Sequence, residues 1–288
     1  MSKHPTILLV GNQLDSHVKL VSEDIVRMGG TPIVLSMEDA STWLGHSVEC
    51  DEGGVQTYDT TSKSIIDVTA VWWRRYCKAE TAGIPSDAKL PGEEARVFCR
   101  GQRHQHFLGA ICALPSIVEV NPLWAEWRIS TKAVQLRMAR DIGFAIPRTY
   151  MGADPIAARA FAESCLTSGS AVVSKAHTSV PLPSITHDGR DYGRMTTLLH
   201  PERLGELNDL HGTPVILQEY VPKAFEVRAT VVGDRVFACG IDSQKSDRTK
   251  VDWRRYDLPN TPHWPYDMPK DVERKLLEFC RRAELVFG

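Results

Sequence analysis

Several signals that would identify common classes of protein are missing from this sequence. No Gly-x-Gly-x-x-Gly motif follows the first apolar run, which ends at Gly11-Asn12, so a nicotinamide-dependent dehydrogenase is excluded. The seven cysteines are odd in number and are never spaced as Cys-x-x-Cys. That usage argues against a disulfide framework or a zinc site and favours reduced thiols in the cytoplasm. There is no apolar run of membrane-spanning length and no signal-peptide pattern at the N-terminus.

The charge of the chain is nearly balanced. Its 288 residues carry a formal net charge of -2, and 24% of them are charged. This composition has neither the basic excess that attracts nucleic acid nor an acidic solvating tail. Hydrophobic residues make up 42% of the chain, which is enough for one large core or two to three small ones. We therefore expect a cytoplasmic globular protein with no nucleic-acid partner and no membrane partner.

The first part of the chain alternates strand and helix patterns. The predicted elements are strands at residues 6–10, 32–35, 68–76 and 117–120 and helices at residues 16–28 and 91–113. Asp15 or Ser16 is the expected cap of the first helix. A strand–helix–strand order of this kind predicts an α/β domain with a parallel sheet. The turn at Asn121-Pro122 is the expected end of this domain, residues 1–121.

Arg74 and Arg75 end the strand predicted at residues 68–76. The carboxyl ends of strands in an open α/β sheet border the ligand crevice, so these arginines could contact an anionic substrate. They could equally be surface charges at the end of a strand. The sequence alone leaves both interpretations open.

The rest of the chain is predicted to form two smaller domains, residues 122–213 and 214–288. The expected elements are helices at residues 129–142 and 155–166, a short helix after Pro201, a helix from Asp271, and strands at residues 144–150, 171–175, 214–221, 226–232 and 236–241. The prolines between residues 259 and 269 are expected to prevent regular structure. A loop with prolines and glycines follows Lys175, and it is either a lid or a plain connection.

Lys175 ends one predicted strand, and Glu226 and Arg228 alternate with apolar residues on another. Such alternation marks a strand with one face on a core and the other on polar surroundings. A lysine, a carboxylate and an arginine converging from two strands suit a nucleoside triphosphate, because lysine is a point charge and arginine a planar fork for phosphate oxygens. The alternative is a solvated edge of a sheet.

The order of these features resembles that of the ATP-grasp ligases over nearly the whole chain. Asn121-Pro122, Ser130-Thr131-Lys132 and Ile146-Pro147-Arg148-Thr149 are similar to the start of the grasp domain in the ribosomal-protein glutamate ligases. Gln218-Glu219-Tyr220-Val221 is similar to the adenine-binding hinge of the family. Glu226-Val227-Arg228 is similar to the ribose and phosphate strand that follows that hinge.

Further motifs resemble the microviridin-type branch of that family, which modifies ribosomally made peptides into graspetides. They are Val71-Trp72-Trp73-Arg74-Arg75, Ile241-Asp242-Ser243-Gln244 and Asp252-Trp253-Arg254. The resemblance implies an α/β (α+β) protein with an ATP-grasp fold and an N-terminal parallel α/β domain. It also implies a precursor peptide, with leader and core, as the partner, and a homodimer is an expectation from the family.

The resemblance implies an ATP-dependent macrocyclase. The enzyme phosphorylates Asp or Glu side chains of the precursor and joins them to Ser or Thr hydroxyls or Lys amines, as ω-esters or ω-amides. The implied site residues are Lys132 and Lys175 for the α- and β-phosphates, Gln218, Glu219, Tyr220 and Val221 for the adenine, Glu226 for the ribose, Arg228 and Arg254 for the transferred phosphoryl group, and Arg74 and Arg75 for the peptide.

The magnesium ligands of the family have no counterpart in this chain. In the family, a Phe-Gly pair is followed by a strand with an acidic residue and by a Glu-x-Asn element, whereas this sequence stops at Gly288. We therefore expect ATP and Mg2+ as cofactors, with the metal ligands beyond Gly288, a truncated C-terminal end, and doubtful turnover by the chain alone. Two alternatives stay open: a ligase that adds amino acids, as the glutamate ligases do, and a non-catalytic module that binds a leader peptide or a nucleotide.

Overall fold

The structure, a computed structural model, describes most of the chain. The described residues are 4–39, 46–52, 54–59, 64–65, 68–74, 82–85, 88–114, 117–177, 186–187, 190–191, 195–210 and 212–288. The chain divides into two compact units, Met1–Trp124 and Ala125–Gly288. Helices occur with both parallel and antiparallel sheets, which confirms the predicted mixed α/β class. The finer division into three domains stays a prediction. In the described part of the chain, no helix combines the length and the apolarity needed to cross a membrane.

A parallel sheet organises the first unit. Its elements are strands β1 (Thr6–Val10), β2 (Thr31–Leu35), β3 (His46–Asp51), β4 (Gly54–Asp59), β5 (Ser64–Ile65), β6 (Ala70–Trp73) and β7 (Val118–Val120), and helices α1 (Ser16–Arg27) and α2 (Glu93–Cys112). The sheet has the order β2-β1-β6-β7, and all of its pairings are parallel. Leu8 and Val71 are buried in one core with Phe107 of α2. The parallel α/β prediction for this unit is thus confirmed.

Local chemistry explains both ends of α1. The side chain of Asp15 accepts a hydrogen bond from the His17 N–H at 2.8 Å, which satisfies one free amide of the first turn. Gly29 lies just beyond the helix with φ 85°, a left-handed conformation that glycine adopts without a steric penalty. The predicted cap and the predicted end of the helix are therefore both confirmed.

One sheet of the first unit was not predicted. Strands β3, β4 and β5 form a separate antiparallel sheet in that order. Most residues of β3 and β4 are polar, so these strands show no apolar alternation that would reveal them. Thr57 of β4 is buried, and its hydroxyl donates to the Ala110 carbonyl of α2 at 3.0 Å. A long-range contact of this kind leaves no local trace in a sequence.

The remaining elements include one two-stranded antiparallel sheet and two larger sheets. They are helices α3 (Leu123–Ile129), α4 (Lys132–Ile142), α5 (Pro155–Thr167) and α6 (Lys270–Ala283), and strands β8 (Thr149–Gly152), β9 (Val172–Lys175), β10 (Thr186–His187), β11 (Arg190–Asp191), β12 (Thr197–Leu199), β13 (Val215–Glu219), β14 (Glu226–Val232), β15 (Arg235–Ile241) and β16 (His263–Pro265). Short 3-10 helices occupy Pro201–Asp209, Trp253–Arg255 and Leu258–Asn260.

The first of the two larger sheets has the order β12-β9-β13-β8 and packs against α5. Asp154 caps α5 through a 2.9 Å hydrogen bond from the Ala157 N–H, and Pro155 fills the first helical turn, as predicted. Ala158, Ala162 and Cys165 of α5 are buried together with residues of β9 and β13. This core fixes the positions of the two central strands of the sheet, which carry predicted site residues.

The second sheet has the order β14-β15-β16 and packs against α6. The predicted hairpin between β14 and β15 is confirmed, and Gly233 occupies its turn with φ 59°. The last residues of the chain lie along β14, where the Val231 N–H donates to the Gly288 carbonyl at 2.7 Å. Strand β14, which carries Glu226 and Arg228, is therefore hydrogen-bonded to β15 on one side and to the last residues of the chain on the other.

Two boundary predictions were wrong. Strand β8 begins at Thr149 rather than at residue 144, because the Phe144 N–H bonds to the Ala139 carbonyl and closes the end of α4. The proline-rich stretch contains β16, a strand that pairs with β15 alone. An edge strand tolerates proline because one side of its backbone needs no ladder hydrogen bonds. The loop after Lys175, predicted to be a lid or a connection, lies mostly outside the described residues.

Candidate active site

The strands β8, β9 and β13 bring three polar side chains together. Lys175 lies opposite Ile216, and Gln218 lies opposite Thr149, so these side chains share one face of the sheet. The Lys175 ammonium donates to Gln218 Oε1 at 2.5 Å, and Gln218 Nε2 donates to Thr149 Oγ1 at 2.9 Å. Lys175 is thus held at the end of its strand by an amide that is itself fixed. The side chain of Gln218, predicted to bind adenine, is occupied in holding this lysine.

The segment after β13 offers one backbone acceptor and one backbone donor. The N–H groups of Glu219 and Tyr220 are used by the carbonyls of Arg148 and Ala171, at 2.9 and 2.8 Å. The Glu219 carbonyl and the Val221 N–H, by contrast, make no hydrogen bond with any described residue. The edge of adenine presents a complementary pair, the N6 amino donor and the N1 acceptor. The backbone from Glu219 to Val221, called the hinge below, fits that edge.

Asp252 fixes the guanidinium of Arg254. The carboxylate is buried, and it accepts hydrogen bonds from Arg254 Nε at 2.8 Å and from the Thr196 N–H at 2.9 Å. Burial by itself would raise the pKa of Asp252, but the bonds from Arg254 and from the two backbone N–H groups of Thr196 and Arg254 hold this pKa well below its usual range. Asp252 is therefore ionised at neutral pH, and Arg254 has a defined position. Asp252 was not among the predicted site residues, although it belongs to the Asp252-Trp253-Arg254 motif.

The cationic side chains of the site lie close enough to repel one another. Burial, followed by the charge of Arg254, lowers the pKa of Lys175. The Asp252 carboxylate raises this pKa in part, and the charges of Lys132 and Lys223 lower it further. Burial and the charge of Arg254 also lower the pKa of Lys132. Lys132, Lys175 and Arg254 come from α4, β9 and a 3-10 helix, yet they form one positive cluster. Such a cluster suits a polyanion such as a triphosphate.

Glu226 lies beside this cluster. Its carboxylate forms an ion pair with Lys223 at 2.8 Å, and its charge helps to raise the pKa of Arg254, after the larger effect of the hydrogen bond from Arg254 to Asp252. Arg228 lies two residues further along β14, on the same face of the strand. Its side chain is exposed and makes no hydrogen bond or ion pair with the residues that the structure describes. The structure therefore brings Lys132, Lys175, Glu226 and Arg254 together but leaves Arg228 apart from their contacts.

The arginines predicted to bind the peptide belong to the first unit. Arg74 follows β6, and its Nη2 lies 3.4 Å from the carboxylate of Asp15, with only 17% of the Arg74 side chain exposed. The same Nη2 lies 3.1 Å from Nδ1 of His17. Arg74 thus has partners within its own unit, and its binding of substrate stays a prediction. Arg75 lies outside the described residues.

The described carboxylates do not form a magnesium site. No group of three His, Cys, Asp or Glu side chains among them could hold a metal ion. Asp247 pairs with Lys250 at 2.5 Å, and Asp252 pairs with Arg254. None of these residues is assigned to magnesium.

Comparisons with known proteins give matches among solved structures. No protein-family model matches the sequence, and no curated protein matches it either. An RiPP-associated ATP-grasp ligase of Chryseobacterium gregarium, in complex with ADP and a leader and core peptide, is 26% identical with a TM-score of 0.82, over 99% of this chain and 83% of that one. The macrocyclase MdnC of Microcystis aeruginosa MRC, bound with the precursor peptide MdnA, is 26% identical with a TM-score of 0.77, over 98% of this chain and 85% of that one.

A more distant match supports the fold alone. The ATP-grasp ligase PsnB, complexed with a phosphomimetic variant of its minimal precursor, Mg and ADP, is 20% identical with a TM-score of 0.69, over 98% of this chain and 83% of that one. All three similar structures are ATP-grasp enzymes that were solved with precursor peptides. The chain therefore has the fold of the ATP-grasp ligases, and the resemblance predicted from its sequence, to the branch that modifies ribosomally made peptides, is confirmed.

Proposed function

We propose that this chain is an ATP-dependent ligase that closes rings in a ribosomally made precursor peptide. The observation that carries the proposal is the positive cluster of Lys132, Lys175 and Arg254. Burial is the larger cause of the lowered pKa of both lysines, and the charge of Arg254 lowers each pKa further. Groups whose pKa values are shifted by burial and by neighbouring charges cluster at functional sites, and neighbouring cations suit a bound polyanion. The precursor peptides and ADP in the similar structures support the choice of substrate.

The nucleotide would be held by residues of the second unit. The hinge would contact the adenine through the Glu219 carbonyl and the Val221 N–H, which have no other partner among the described residues. Lys132 and Lys175 would hold the α- and β-phosphates as point charges. Glu226 would accept hydrogen bonds from the ribose hydroxyls. Mg2+ would accompany the nucleotide, as in the PsnB complex, with no described residue assigned to it.

The chemistry would proceed by activation of a carboxylate. An oxygen of an Asp or Glu side chain in the peptide attacks the γ-phosphorus of ATP, the bond from that phosphorus to the β,γ-bridging oxygen breaks, and ADP leaves. The hydroxyl of Ser or Thr, or the amine of Lys, then attacks the carbonyl of the acyl phosphate. Inorganic phosphate leaves with the bonding electrons, the nucleophile loses its proton, and an ester or amide ring is closed.

Arg254 would be the principal charge at the transferred phosphoryl group. Its Nη2 and Nε bond to Asp252, which orients the guanidinium before any substrate arrives. Phosphoryl transfer depends mainly on positioning and on stabilisation of charge, so an arginine held in place lowers the barrier more than a mobile one. Arg228 would assist from the exposed face of β14. Arg74 and Arg75 would contribute to peptide binding.

Mass spectrometry of a co-expressed precursor tests the proposal. The natural candidate is the product of a short neighbouring gene rich in Thr, Ser, Asp and Glu. Successive losses of one water from that peptide would show ring closure, and Lys175→Met should abolish them while the exposed Lys245→Met variant retains them. A gain in mass would show the addition of amino acids instead. An unchanged peptide in the presence of the folded, ATP-binding chain would indicate a binding module and would contradict the proposal.

A further inference from the structure

Lys223 was not among the predicted site residues, yet it lies beside Glu226. It lies between the hinge and β14, and only 19% of its side chain is exposed, which is little for a lysine. Its ammonium lies 2.8 Å from Glu226 Oε1 and donates to the Val251 carbonyl at 3.0 Å. The same ammonium lies 5.9 Å from the centre of the Tyr220 ring. One charged group therefore lies beside the Tyr220 ring, the start of β14 and the segment that leads to Asp252.

The ion pair with Lys223 is formed at Oε1 of Glu226. This oxygen is buried and lies 2.8 Å from the Lys223 ammonium, in an ion pair without the geometry of a hydrogen bond. Oε2 makes no hydrogen bond with any residue of the described part, although an ionised carboxylate can accept several. A glutamate paired through one oxygen gives up part of its rotamer freedom before a ligand binds. A hydroxyl donor that reaches Oε2 therefore meets an acceptor that is already oriented.

We propose that Lys223 is a positioning residue for the nucleotide, which holds Glu226 so that Oε2 accepts hydrogen bonds from the ribose hydroxyls. This inference rests on the proposed function, because it takes the ligand to be ATP. The inference also predicts that removal of the lysine affects one part of the nucleotide more than another. Loss of Lys223 should reduce recognition of the ribose hydroxyls more than recognition of the phosphates, which Lys132 and Lys175 still contact.

The inference is tested by measuring nucleotide affinity with isothermal calorimetry on the full chain. The ligands are ATP and 2′,3′-dideoxy-ATP, which lacks both ribose hydroxyls. We expect the unaltered chain to prefer ATP by about tenfold or more, the effect of one hydrogen bond to a charged group. Lys223→Met and Glu226→Gln should each reduce that preference to within about threefold. Lys223→Arg, which can still pair with Glu226, and the exposed Lys245→Met variant should keep it.

The ratio of the affinities for ATP and 2′,3′-dideoxy-ATP shows whether Lys223 positions Glu226 or only stabilises the fold. If Lys223→Met weakens both nucleotides equally and keeps the preference for ATP, the lysine does not orient Glu226 and the inference is overturned. If Lys223→Met does not fold, Lys223→Gln replaces it, with the same two outcomes. An unaltered chain that binds ATP without preferring it overturns this inference alone. An unaltered chain that binds neither nucleotide overturns the proposed function as well.

Discussion

Replacing Lys175 with methionine should separate nucleotide binding from stability. In the folded chain its ammonium donates to Gln218 Oε1 at 2.5 Å, and a hydrogen bond that involves a charged group contributes about 1.5–3 kcal/mol net. Burial and the charge of Arg254 oppose this contribution, because both lower the pKa of Lys175 and so disfavour the charged lysine in the folded state. The two effects have opposite signs. We therefore expect Lys175→Met, without nucleotide, to change the free energy of unfolding by less than about 1 kcal/mol.

With ATP present, the same variant should differ sharply from the unaltered chain. A nucleotide at a hundred times its Kd stabilises the folded state by about 2.7 kcal/mol. Loss of a charge-assisted contact to phosphate should raise Kd by up to about a hundredfold, so the same ATP concentration would then stabilise the variant by only about 0.4 kcal/mol. For a chain of this size, the rise in Tm on adding ATP should fall from about 5–11 °C to about 1–2 °C.

Thermal denaturation at pH 7, with and without ATP, measures both the stability of the chain without nucleotide and the rise in Tm that ATP causes. Lys245→Met is the matched control, because Lys245 is an exposed lysine of the same unit and should show the full shift with ATP. The reasoning is refuted if Lys175→Met keeps the ATP-induced shift of the unaltered chain. It is also refuted if the variant loses more than about 3 kcal/mol without nucleotide, since Lys175 would then be a structural residue.

Three further substitutions test the fold. Asp252→Asn should cost about 2 kcal/mol at pH 7 after allowance for the half-exposed Arg254. In urea titrations below about pH 4, the difference in free energy of unfolding between the unaltered chain and this variant should shrink. A carboxylate whose folded pKa is lowered stabilises the protein in full above its unfolded pKa and progressively less as the pH falls toward its folded pKa. Gly240→Ala should cost about 1–3 kcal/mol in urea, because its Cβ would lie 2.3 Å from the Trp264 ring; an unchanged midpoint would contradict that packing. Asp15→Ala should lower the free energy of unfolding by about 1 kcal/mol through loss of the α1 cap, measured by circular dichroism, and no loss would show that the cap is dispensable.

Local patterns were sufficient to predict much of the second unit. The apolar run that ends at Lys175 and the alternation from Glu226 onward are properties of neighbouring residues, so the corresponding strands could be read from the sequence. The cap at Asp154 and the turn at Gly233 depend likewise on a few adjacent residues. The convergence of these strands on one site was expected from the resemblance to a family, since no local pattern fixes it.

The remaining features depend on contacts between distant residues. Lys223 becomes a site residue only because the carbonyl of Val251, 28 positions away, lies within 3.0 Å of its ammonium. The role of Asp252 likewise depends on the N–H of Thr196. Strand β16 was missed because prolines normally interrupt a sheet, and only its position at an edge makes them compatible with pairing. Long-range geometry, not residue type, decides these cases.

In the proposed reaction, an oxygen of a peptide carboxylate attacks the γ-phosphate of ATP. The most direct test supplies a precursor whose Asp and Glu side-chain carboxylates carry oxygen-18, together with the purified chain, ATP and magnesium. Formation of an acyl phosphate predicts that one oxygen-18 atom enters inorganic phosphate for each ring closed. Rings that form while the released phosphate stays unlabelled would contradict this reaction, because the carboxylate oxygen would then have left by another route.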